Sequence, residues 1–73
     1  MIFYKIDVIE ALKQHGFNTN RIRKEKLISE GTLQALREGR GISFVSLDAI
    51  CRACHVQPGD IIGFEDDSIT EEE

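Results

Sequence analysis

The sequence predicts an all-α fold, a compact bundle of four to five short helices with room for short strands at its two ends. Three observations point there. Helix-capping residues recur at Asp7, Asn18, Ser29 and Ser43, each followed by apolar residues at helical spacing. Glycines stand where the resulting helices should stop, at Gly16, Gly39 and Gly41. The 73 residues make one domain with a small core and leave no length for a second.

Taken in order, Met1–Lys5 is short, apolar and β-prone, which suits a brief strand. Asp7 and Glu10 have capping-box spacing, and Val8, Ala11 and Leu12 give a helical stripe, so the first helix is expected over 8–15. Phe17 and Ile22 flank the cap Asn18 as a hydrophobic staple does, opening a second helix over 19–26 with Leu27 and Ile28 at its exit. Ser29 opens a third helix with Leu33 and Leu36 facing inward. About two residues separate the second and third helices, which is helix-turn-helix spacing. Ser43 opens a fourth helix over 44–55, with Phe44, Leu47, Ile50, Cys51 and Cys54 as its apolar stripe. Pro58, capped by Gln57, suits the first position of a one-turn helix, and Ile61, Ile62 and Phe64 are placed to pair with the N-terminal strand. The domain is expected over 1–65. The acidic run 66–73 has nothing to bury and should fray.

The formal net charge of −4 conceals an uneven distribution. Six of the 13 acidic residues are Glu65, Asp66, Asp67, Glu71, Glu72 and Glu73; residues 1–64 carry nine basic against seven acidic side chains. Within 18–40, Arg21, Arg23, Lys24, Lys26, Arg37 and Arg40 face only Glu25, Glu30 and Glu38. Such a local field favours a polyanionic partner. The sequence contains neither a membrane-length apolar run nor a recognisable export leader, and the two cysteines then fit a reducing cytoplasm.

Cys51-Arg-Ala-Cys54-His55 matches the letters of a c-type haem attachment motif, but both cysteines fall on the inward stripe of the fourth helix, and that chemistry belongs to exported proteins. Zinc would need four ligands, and His15 is remote in sequence. The pair also lies in the helix's second half, away from the N-terminal position that activates a thioredoxin-type thiol. No nucleophile–base pairing or phosphate-cradling glycine loop is evident. The reading is therefore a non-enzyme without metal or cofactor.

In a helix-turn-helix the first helix crosses the phosphates and the second enters the major groove. Asn18, Thr19, Asn20 and Arg21 supply polar groups at the N-terminus of the first, with Lys24 beyond them. Glu30, Gly31, Thr32, Gln34 and Ala35 include the outward residues of the second, and Arg37 and Arg40 stand where phosphate contacts are plausible. The chain resembles the small Cro/CI-type (XRE-like) helix-turn-helix regulators. Asn18–Ile22, Ile28-Ser29 with Thr32-Leu33, Leu36–Gly39, Leu47–Cys54 and Gln57–Ile61 carry the resemblance.

That resemblance implies the lambda repressor-like fold, binding of double-stranded operator DNA, usually as a dimer, and base-facing positions at Glu30, Gly31, Thr32 and Ala35 with Gln34 nearby. It also marks three departures: Thr19 where the family commonly has Gln, Arg23 where it has Ala, and Leu27 where it has Gly. Leu27 implies either strain or an altered, right-handed turn. The groove-facing set is thin in hydrogen-bonding groups, which predicts modest affinity with strong salt dependence. It also leaves an alternative: a protein-interaction module, or antitoxin-like partner, with weak or lost DNA binding. Ile2, Phe3 and Phe64 are candidates for a dimer patch.

Overall fold

A computed structural model of the protein describes residues 1–66. In chain order the elements are β1 (Ile2–Tyr4), α1 (Val8–Gln14), α2 (Thr19–Glu25), α3 (Glu30–Glu38), α4 (Phe44–Cys54), α5 (Pro58–Ile61) and β2 (Ile62–Phe64). The fold is the expected all-α bundle with short terminal strands. The fraying expected over 66–73 falls, beyond Asp66, outside the described residues.

Each of the first four helices begins on the residue the sequence marks. The side chains of Asp7, Asn18, Ser29 and Ser43 accept from the backbone N–H of Glu10, Arg21, Thr32 and Ser46 respectively. Every cap thereby satisfies one of the donors that a helix start leaves without a partner. At the other ends, α1 runs into Gly16 (φ +90°) and α3 into Gly39 (φ +74°), left-handed positions that glycine adopts without steric penalty. Helix α5 starts on Pro58 as expected, and the Asp60 carboxylate accepts from the Gln57 N–H at 3.1 Å.

The core gathers one or more residues from every helix: Val8 and Leu12, Ile22, Leu33, Leu47, Ile50 and Cys54, and Ile61, with Ile28 from the turn. Leu12, Ile22 and Ile50 are fully enclosed. Leu36, expected to face inward, is half-buried at the edge of this cluster. Two expectations fail here. Phe44 begins the predicted stripe of α4 yet is 87% exposed, with no described segment packed over it, while Leu47 one turn on is buried. Ala35, expected to face outward, is 5% exposed; its methyl is small enough to be covered at the flank of α3.

β1 and β2 pair antiparallel, Ile2 opposite Phe64, Phe3 opposite Gly63 and Tyr4 opposite Ile62. The Met1 amine and the Glu65 carbonyl, the Glu65 N–H and the Met1 carbonyl (2.9 Å), and the Lys5 N–H and the Ile61 carbonyl (2.8 Å) extend the ladder. The Tyr4 hydroxyl donates to the Arg40 carbonyl at 2.5 Å, and burial pushes this phenol up from its ordinary pKa. The sheet is thus fastened to the segment that follows α3.

Candidate nucleic-acid interface

Helices α2 and α3 are joined by a turn whose left-handed residue is Lys26 (φ 55°). Leu27 does not have a positive φ; it is half-buried, and its N–H reaches the Ile22 carbonyl at 3.1 Å. Of the two expectations for Leu27, a left-handed strain at that residue is absent, and the turn is not right-handed throughout, because the preceding Lys26 takes the left-handed conformation. An L-residue in that conformation carries a penalty of about 1–2 kcal/mol. Arg23 spans the same turn, with its Nε 2.5 Å from a carboxylate oxygen of Glu30 in the first turn of α3.

The N-terminus of α2 carries Asn18 as its cap, Thr19 half-buried and Asn20 exposed. Arg21 is occupied three ways. Its Nε pairs with Glu25 at 2.7 Å, a terminal nitrogen donates to the Gly16 carbonyl at 3.1 Å, and the guanidinium lies 4.3 Å from the Phe17 ring centroid. The side chains of Lys24 and Lys26, by contrast, are exposed and have no hydrogen-bond or ion-pair partner among the described residues.

The outward side of α3 exposes Glu30, Gly31, Gln34, Arg37 and Glu38. Glu30 is held by Arg23, and Gly31 has no side chain. Gln34 donates through Nε2 to Glu38 at 2.5 Å, and Arg40 Nε donates to the other oxygen of Glu38 at 2.7 Å. Hydrogen bonds from Gln34 and Arg40, with the Arg40 charge, lower the Glu38 carboxyl from its ordinary pKa. Arg37 is exposed and has no partner among the described residues.

Thr32 is different. Its hydroxyl lies 3.0 Å from that of Ser29 and 3.2 Å from that of Ser46, which in turn is 3.1 Å from Ser43. Four hydroxyls therefore connect the cap of α3 to the cap of α4, and Thr32 is turned toward that chain. The sequence reasoning missed Ser46 and Ser43 in this role. The signal was present in the repeated Ser-x-x-Thr and Ser-x-x-Ser spacing at 29–32 and 43–46. Only their meeting in space was hidden.

The candidate residues thus fall into two groups. Lys24 and Arg37 offer uncommitted charge, joined by Lys26, while Arg21, Glu30, Thr32, Gln34 and Arg40 are already engaged within the protein. Away from this surface, the structure brings His15 and His55 to a ring separation of 6.4 Å. Burial pushes the thiols of Cys51 and Cys54 up from their ordinary pKa, with smaller contributions from Asp48 and Asp60 at Cys51 and from Cys51 at Cys54. No group of three or more His, Cys, Asp or Glu among the described residues is arranged to hold a metal. No helix among them is long and apolar enough to cross a membrane.

With this geometry in place, the family follows from comparison. The model of the Cro/C1-type HTH DNA-binding domain matches residues 7–67. The chain belongs to the Cro/C1-type helix-turn-helix family. The match runs from the cap of α1 past the end of β2, so it takes in all five helices. No match to a curated protein or to a solved structure was found. Within this Cro/C1-type domain, α2 and α3 are the helix pair, and Arg23, Lys26 and Leu27 lie at or beside the turn that joins them.

Proposed function

We propose that this Cro/C1-type protein is a non-enzymatic transcriptional regulator that lays α3 in the major groove of double-stranded DNA. The N-terminus of α2, at Asn18, Thr19, Asn20 and Arg21, would then approach the phosphates. The observation that carries the reading is a set of three exposed cations on the helix pair of a DNA-binding family, Lys24, Lys26 and Arg37, whose side chains have no partner among the described residues. Glu30, Thr32, Gln34 and Arg40 belong to the proposed interface as well, each through the partner it already has. The domain is taken as 1–65, the acidic run 66–73 as an appendage to it, and the cytoplasm as its location.

Phosphate contacts release counterions, and the dependence of log K on log salt falls by roughly 0.9 per contact. Three uncommitted cations give a slope of about −3 per protomer, whereas recruitment of Arg21, Arg23 and Arg40 as well would bring it to about −5. Binding to random-sequence duplex, titrated from low to moderate salt, measures this directly. Arg37→Ala should reduce the slope by about one unit; an unchanged slope removes Arg37 from the interface.

A second reading is a protein-interaction module, and it rests on two observations. Arg21, Arg23 and Arg40 are each paired with a carboxylate of the same chain. Ile2, Phe44, Val45 and Phe64 are each at least 60% exposed. Such a patch also suits a homodimer through the sheet. Absence of duplex binding at the lowest salt, together with concentration-dependent self-association, would favour this second reading.

A further inference from the structure

We infer that Glu38 is a positioning residue for base reading, holding the Gln34 amide in the orientation that recognises adenine. The inference rests on the proposed docking of α3 and specifies what that helix reads. Gln34 lies on the exposed side of α3, one turn before Glu38. Of the other outward residues, Glu30 is tied to Arg23, Gly31 lacks a side chain, and Arg37 and Glu38 stand a turn further on. Gln34 is thus the one outward residue in the first two turns of α3 whose side chain is a neutral donor and acceptor.

The orientation follows from the chemistry of the partner. An ionised carboxylate only accepts, so the end of the Gln34 amide that faces Glu38 at 2.5 Å must be the NH2. Glu38 is kept ionised: its carboxyl lies below the ordinary carboxylate range, and Arg40 occupies its second oxygen at 2.7 Å. One amide N–H is committed to Glu38. With Glu38 on the N–H anti to the amide oxygen, the remaining N–H and the oxygen form a side-by-side donor and acceptor. Adenine presents the complement on its major-groove edge, an N6 amino donor beside the N7 acceptor. Guanine offers two acceptors there and cannot satisfy the amide oxygen. The chain Arg40–Glu38–Gln34 therefore sets the amide before DNA arrives, at the expense of one carboxylate close to the phosphates.

That last point makes the test decisive. Glu38 repels DNA as a charge and occupies Arg40, yet it organises recognition, so its removal should move affinity and discrimination in opposite directions. Sites are selected from a random duplex pool by the wild type, Gln34→Ala, Glu38→Ala and Glu38→Gln, and binding to selected and scrambled duplexes is then measured. The wild type should select adenine at one fixed position. Gln34→Ala should lose about 5- to 150-fold of that preference, as expected for one bidentate base contact. Glu38→Ala should bind scrambled duplex more tightly while its adenine preference falls by about two- to tenfold. Glu38→Gln, which keeps an acceptor for the amide, should recover part of the preference.

A purely structural role would lower affinity and preference together. Far-UV circular dichroism checks that the exposed substitutions leave the helices intact. Duplex binding with no adenine preference dependent on Gln34, or a preference unchanged in Glu38→Ala, overturns the inference and leaves the proposed function standing. Absence of binding to any duplex at low salt overturns both.

Discussion

Lys26 has the least favourable backbone of the helix pair, a long L-side chain at φ 55°. Glycine there removes the crowding of Cβ against the backbone, so Lys26→Gly should stabilise the fold by about 1 kcal/mol, less the added entropy of the unfolded chain. Leu27→Gly should do the reverse, because Leu27 packs against the core and needs no left-handed conformation. Urea denaturation of the two variants measures both; a stabilising glycine at 27 would show that the strain of the turn lies at Leu27 rather than at Lys26. Leu27 itself signalled that this turn is not built on a left-handed glycine at position 27. It did not reveal which neighbour takes the left-handed conformation, since nothing in a lysine side chain favours that region. Phe44 and Ala35 mislead for a related reason. Periodicity assigns a residue to a helix face, but whether anything covers that face depends on chain segments remote in sequence.

Between elements, the hydroxyl chain Ser29–Thr32–Ser46–Ser43 is the polar link from α3 to α4. The Thr32–Ser46 contact is part-buried, so removal of one hydroxyl leaves the other without its partner. Ser46→Ala and Thr32→Val should each destabilise by about 1 kcal/mol, and a double-mutant cycle should return a coupling of about 0.5–1.5 kcal/mol. Strictly additive losses in thermal or urea unfolding would mean that each hydroxyl serves only its own helix cap. The helices themselves were legible because their starts are local: Asp7, Asn18, Ser29 and Ser43 each bond a backbone N–H three residues ahead. The link between two caps 14 residues apart was not, because it depends on how α3 and α4 are brought together.

At the scale of the molecule, charge is divided between a basic body and an acidic end. Residues 1–64 have two more basic than acidic side chains, against −4 for the whole chain. Deletion of 66–73 removes five acidic residues and should tighten binding to duplex at low salt, with the difference vanishing as screening sets in. Equal affinity with and without the segment at the lowest salt would show that it does not compete for the basic face. The segregation was plain in the sequence. What it did not disclose is how far the body neutralises itself: the charge excess over 18–40 suggested six cations facing a partner, and the structure commits Arg21, Arg23 and Arg40 to carboxylates of their own.

The strand pair has a mechanical meaning. β1 and β2 run antiparallel, and Met1 and Glu65 sit together at the open end of the ladder. Tension applied between the two ends of the domain would load one rung at a time and peel the strands apart like a zipper, rather than shear all rungs together. The tyrosine that bonds Arg40 lies three residues in from the rung at Met1. Pulling would therefore first release the strands and then the tail of α3, the helix proposed to read DNA. A tug on the termini would slacken the reading head while the capped helical body still stands.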